Sequence, residues 1–203
     1  GMRVHAIEPQ AANADLIRAA VAANKRELGL AMDLVVHECG VGPDGEHVHV
    51  NHVEGNRAAT YLCMPGQEFS AGGFAEVPTS TLSTLIGGAD VHVLMLTCQG
   101  CEWEAVTELQ ASGTRVENII LLVPPDVEGE CALRSVAAQA ARQLSMAGYW
   151  LYALELRGSA GTVLSPIADL DAWLVAPLCL ECEGPFLFAS TRRTLYEPLP
   201  AAS

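Results

Sequence analysis

VLMLTCQGCEWEAVTEL, residues Val93 to Leu109, is the stretch whose reading decides the fold. It opens as an unbroken apolar run, Val93-Leu94-Met95-Leu96. A strand covered on both faces reads this way, and such strands belong mostly to parallel sheets. The run then passes through Thr97-Cys98-Gln99-Gly100 and turns helical. Cys101, Trp103, Val106 and Leu109 are its apolar positions, with Glu102, Glu104 and Glu108 between them. The pattern predicts strand, turn and helix, with Thr97, Cys98 and Gln99 at the carboxyl end of the strand. In open α/β sheets ligands bind outside that end.

Upstream, Arg3 to Ile7 reads as a short strand ended by Glu8-Pro9. A carboxylate at such a strand tip can accept two hydrogen bonds from a ribose diol, or can simply be a surface Glu before a turn. Asn13 is placed to cap a helix whose buried stripe is Leu16, Ile17, Ala20, Val21 and Leu28, closed by Gly29. Met32 to Cys39 is a second strand, and Asp44-Gly45 in the following turn signals a hairpin. In Glu46 to Val53, His47 and His49 alternate with Val48 and Val50. With His52 they suggest a metal cluster at first sight, but the alternation fits the polar face of a half-exposed strand better, and no metal site is assigned. Gly55 to Val77, Gly-rich and weakly patterned, reads as a long loop. Ser80 or Thr81 can cap a short helix carrying Leu82, Leu85 and Ile86, stopped by Gly87-Gly88.

Downstream, Gly113 ends the central helix, and Asn118 to Val123 is another doubly buried strand. Glu128 and Glu130 favour a helix start. Leu133, Val136, Ala137, Ala140 and Leu144 make that helix's core face, and Gly148 stops it. Tyr149 to Leu156 and Pro185 to Ser190 read as closing strands, with a loop or short helix around Ile167 to Leu174. Strands alternate with helices, which predicts an α/β protein with a mostly parallel sheet and one antiparallel strand at the C-terminal edge. At 203 residues, one domain over 1–203 is the simplest division.

The net charge of −13 argues against nucleic acid and anionic membrane surfaces as partners. No apolar run approaches the roughly 20 residues needed to span a bilayer. Glu8-Pro9-Gln10 interrupts any export signal, and Gly1 before Met2 reads as a remnant of tag removal. The seven cysteines are therefore expected to be reduced thiols in a cytoplasm.

In order along the chain, VHAIEP at 4–9, VVHECGVGPDG at 35–45, VPTSTLSTLI at 77–86, LMLTCQGCEWEAVTEL at 94–109 and LRSVAAQAARQLSMAGYWLYAL at 133–154 resemble the FkbM family of S-adenosylmethionine-dependent methyltransferases. The resemblance implies a Rossmann-like sheet with helices on both faces. It implies S-adenosylmethionine as cofactor and methyl transfer to an oxygen of a small molecule or sugar. Glu8 would hold the ribose, the Cys39-Gly40 turn would flank the adenine, and Thr97 and Gln99 would line the reacting edge. Two departures accompany it. The family begins with a strand and a glycine-rich turn of the form D-x-G-x-x-x-G, whereas this chain reads from the second strand onward. The absent strand would lie between the Val4 and Val93 strands. The family's Lys, Asp and Glu also fall on Met95, Thr97 and Gln99, which are neutral, so neither Thr97 nor Gln99 can act as a carboxylate base. The alternative is a catalytically degenerate relative that binds a partner or ligand, with a homodimer covering the incomplete sheet.

Cys98-Gln99-Gly100-Cys101 and Cys179-Leu180-Glu181-Cys182 are C-x-x-C pairs. They suggest a four-thiolate zinc site, a redox pair at a helix start, or small buried cysteines. The wide separation of the pairs weighs against zinc, and the lack of the aromatic or Pro companions of a thioredoxin-like site weighs against a redox pair, so small buried cysteines are the favoured reading.

Overall fold

The computed structural model describes residues 3–29, 33–51, 61–62, 74–98, 101–123, 131–156, 162–175 and 186–191. They form an α/β protein that divides into two compact units, Gly1–Ala89 with Glu108–Gly113, and Asp90–Thr107 with Thr114–Ser203.

In the first unit β1 (Arg3–Ile7) pairs in parallel with β2 (Asp33–His37), with His5 opposite Val35 and Ile7 opposite His37. The connection is α1 (Ala11–Leu28), which packs on β2. Gly29 ends α1 at φ 65°, as the sequence predicts. The helix's apolar stripe differs from expectation. Ala14 is fully buried and Ile17 and Val21 are half-buried, while Leu16 and Leu28 are 58% and 66% exposed. Asn13 sits inside the first turn, and Gln10 is the N-cap, its side chain making no capping bond.

A second sheet has the order β3 (Gly40–Val41), β6 (Phe74–Ser80), β4 (His47–Asn51), β5 (Tyr61–Leu62). The Asp44-Gly45 turn therefore does not close a hairpin, because β6 lies between the strands that flank it. Its carboxylate instead clamps the start of α2 (Leu82–Ile86). Asp44 accepts from Ser80 Oγ at 2.5 Å, Thr81 N at 2.9 Å and Thr84 Oγ1 at 2.8 Å. These donors hold its pKa at about 2, below the ordinary carboxylate value. Thr81 is the N-cap of α2 and Gly87 its left-handed C-cap, as expected. The predicted loop of 55–77 fails at Tyr61–Leu62 and from Phe74 onward, where the chain is strand. The rest of it lies outside the described residues. His47 and His49 are exposed and Val50 is buried, so the alternation reads correctly.

The second unit carries a five-stranded mixed sheet of order β10 (Thr162–Pro166), β9 (Trp150–Leu156), β11 (Phe186–Ser190), β8 (Val116–Leu122), β7 (Val91–Leu96). β7 and β8 are parallel, while β11 runs antiparallel to both β8 and β9. β10, antiparallel at the edge, has no counterpart in the sequence reading, which gave this segment no strand. Its five residues end in Ser165-Pro166, which weakens any strand pattern. α4 (Cys131–Met146) packs on β8 and β9 through a line of small residues, with Ala137, Ala140 and Ala141 at 0% exposure beside Leu144. Asn118 ties three strands together: its Nδ2 donates to the His92 carbonyl of β7, and its Oδ1 accepts from Ser190 Oγ of β11.

Among the described residues, the stretch that predicted a doubly buried strand is an edge strand with one open face. Leu96 is buried, yet Val93 and Met95, on one face of β7, are 51% and 57% exposed. An apolar run records an affinity for cover; whether the fold supplies that cover is a tertiary matter. β8, by contrast, lies between β11 and β7, with Val116, Ile119 and Leu121 buried and Val123 buried just beyond its end.

Candidate functional site

Glu8 stands directly after β1, half-buried. Its backbone N–H donates to the His37 carbonyl at 3.0 Å, so the carboxyl tips of β1 and β2 lie side by side. Its Oε1 accepts the Gln10 N–H at 2.8 Å. That bond orients the carboxylate at the strand tip and leaves acceptor capacity on a group with about four lone-pair sites. Cys39 and Gly40 follow β2 at the same end. Cys39 is 8% exposed, a free thiol whose pKa is raised by burial. Gly40 is buried, and a Cβ there would come within 3.0 Å of Val48 Cγ2 and 3.4 Å of Thr79 Cγ2. The two residues form the packed backing of the turn rather than its exposed surface.

Beside them is a pair absent from the sequence reading. His5 Nδ1 and His37 Nε2 are 3.0 Å apart, with the rings stacked at 5.2 Å between centroids and 10° between planes. One ring donates and the other accepts. Burial, and next the neighbouring His5, lower the His37 pKa, so protonation of His37 is disfavoured. The available signal was a His on each of two parallel strands, His5 in VHAI and His37 in VVHE. Their register is what brings the rings together.

In the second unit Thr97 is exposed just beyond β7, and Gln99 lies outside the described residues. Cys98 is half-buried and is joined by a disulfide to Cys101, which is 4% exposed. The expectation of reduced thiols throughout is corrected here: a pair three residues apart, with Cα atoms 5.6 Å apart, falls within bridging range. α3 (Glu102–Ser112) begins immediately afterwards. Cys101, Val106 and Leu109 are buried as predicted, while Glu102, expected between the apolar positions, is 1% exposed. Its first-turn position suits a carboxylate, since the helix N-terminus carries partial positive charge.

Cys179 and Cys182 lie outside the described residues. Among the described residues no cluster of three or more metal-ligating side chains occurs. A cavity of about 660 Å³, lined by Ser145, Tyr149, Trp150, Pro166, Ile167 and Leu170 among others, opens near the amino end of β9. β7, β8 and β9 run in one direction, so this cavity is at the opposite end of the sheet from Thr97. No described helix is long and apolar enough to cross a membrane.

The architecture and these strand-end groups define a mixed-sheet α/β protein with polar groups at strand carboxyl tips. No family model matches the chain, and no curated protein matches it either.

Proposed function

We propose that the chain is a methyltransferase-like protein of the FkbM kind, with S-adenosylmethionine as cofactor and an oxygen of a small molecule or sugar as methyl acceptor. The observation that carries the reading is the carboxyl end of the β1–β2 pair. There Glu8 is held beside His37, with Cys39 and Gly40 next along the chain. When bound, the cofactor supplies an electrophilic methyl group on a sulfonium. Glu8 fits a ribose diol through the acceptor capacity that the Gln10 bond leaves unused. Cys39 and Gly40, being buried, would back an adenine rather than contact it through an open surface. The sequence resemblance, not the geometry, assigns Thr97 and Gln99 to the acceptor, and Gln99 lies outside the described residues. Methyl transfer needs mainly in-line positioning, so a site without a carboxylate base is compatible with it.

The test is a thermal-shift titration with S-adenosylmethionine and its demethylated product. A ligand at 100 times its Kd stabilises by about 2.7 kcal/mol, and a domain of this size shifts its Tm by about 2–4 °C per kcal/mol. The expected outcome is a rise with both ligands that is reduced in Glu8→Gln, which keeps one carbonyl oxygen for Gln10. No shift at millimolar ligand would end the cofactor reading.

A second reading is favoured by a different observation. Among the described residues β7 is paired on one edge only, and it carries exposed Val93 and Met95. In a catalytically degenerate relative this edge would serve as the dimerisation surface.

A further inference from the structure

We propose that Cys98–Cys101 is a reversible, exchange-active disulfide whose reaction partner is a dithiol. This inference does not rest on the methyltransferase reading.

The first support is unequal access. Cys98 is half-buried at the carboxyl end of β7, while Cys101 is 4% exposed at the start of α3. Cys98 is the more accessible residue of the two, and exchange requires attack on a reachable sulfur. A second support is the smallness of the ring. Loop-closure entropy rises with the logarithm of the enclosed length, so a bridge between residues three apart constrains the unfolded chain less than a long-range bridge does. A pair that contributes less as a cross-link and is more reachable at one end has the character of a labile disulfide rather than a structural one.

The class of reductant follows from ring closure: a monothiol needs a second molecule to resolve the mixed disulfide, whereas a dithiol closes its own ring at high effective concentration and completes the exchange.

The step balances as follows. A thiolate of the dithiol bonds to Cys98 Sγ, the Cys98–Cys101 bond breaks, and Cys101 leaves as thiolate and takes up a proton. The second thiol of the dithiol then attacks the mixed disulfide, forms the dithiol's own disulfide and releases Cys98, which is also protonated. Two electrons and two protons pass to the protein. The reverse reaction with an oxidised dithiol restores the bridge and covalently links the end of β7 to the start of α3.

The test uses the whole folded chain. The protein is incubated with dithiothreitol or with reduced glutathione and alkylated without denaturant, and each cysteine is assigned by peptide mapping, which separates Cys98 and Cys101 from Cys179 and Cys182. The expected result is native-state reduction by dithiothreitol, little reduction by glutathione, and alkylation of Cys98 at least roughly tenfold faster than of Cys101. Cys101→Ser should hold a stable mixed disulfide at Cys98 after treatment with oxidised glutathione, and Cys98→Ser should form none at Cys101. If either variant fails to fold, the alkylation ratio in the reduced wild-type chain decides. Reduction that occurs only after unfolding overturns the proposal. So do equal alkylation rates, or a pair that stays as free thiols when exposed to an oxidised dithiol.

Discussion

His37 shows how a single side chain acquires its character from a neighbour on another strand. Its ring is partly covered and stacked on His5, and both effects disfavour the imidazolium. The folded-state pKa lies below the ordinary 6.5, so near that pH the unfolded chain binds more protons than the folded one. Folding stability from this group is therefore fully present above about pH 6.5 and is lost as pH falls below it. We expect urea midpoints to decline between pH 7.5 and 5.5, and the decline to be shallower in His37→Gln. An identical slope in the variant would remove His37 as the source. Asp44 is the opposite case, a carboxylate whose charged form is favoured by donors from Ser80, Thr81 and Thr84.

At the scale of elements, β8 and its neighbours carry the second unit's core. Leu121 on β8 and Leu187 opposite it on β11 are both fully buried, and the strands are in register through Leu121↔Leu187. Truncating Leu121 to Ala should destabilise the fold by about 2–5 kcal/mol, the range for deleting a buried leucine side chain. Equilibrium urea denaturation, with circular dichroism to check that the folded state persists, measures it. A loss below about 0.5 kcal/mol, typical of surface substitutions, would mean that the strand is not a core element. The element boundaries also show which signals were readable. Gly29, Gly87, Gly113 and Gly148 stop their helices with positive φ, as predicted, because a left-handed cap asks for glycine whatever the tertiary context. The Asp44-Gly45 turn was misread because a turn signal says that the chain reverses, and not which strand then pairs with which.

For the whole molecule, the open edge of β7 is the feature with the widest consequence. Val93 and Met95 present apolar surface on a strand that, among the described residues, has one unpaired side, a combination that folded proteins usually cover. We expect light scattering coupled to size exclusion to give a dimer at tens of micromolar concentration, roughly the range of moderate self-association. Val93→Lys with Met95→Lys should shift it to monomer, since edge lysines block pairing. A monomer in both proteins would exclude this edge as a self-association surface. The acidic balance of the chain leaves such an apolar edge as a more natural contact than any phosphate-rich partner.

The sequence alone determined the α/β class, most helix and strand positions, the glycine helix stops, the Thr81 cap and the alternating face of β4. These follow from periodicity and from backbone chemistry that acts within a few residues. It also located Glu8 at a strand tip and Cys98 and Cys101 at a strand-to-helix turn. Tertiary structure alone decided that β6 separates β3 from β4 and that β11 enters between β8 and β9. It decided that the His5 and His37 rings stack, that Glu102 is buried, and that Val93 and Met95 face outward. Each of these depends on which strands become neighbours. A hydrophobic pattern specifies which face of a strand seeks cover, but strand order and long-range register determine what covers it.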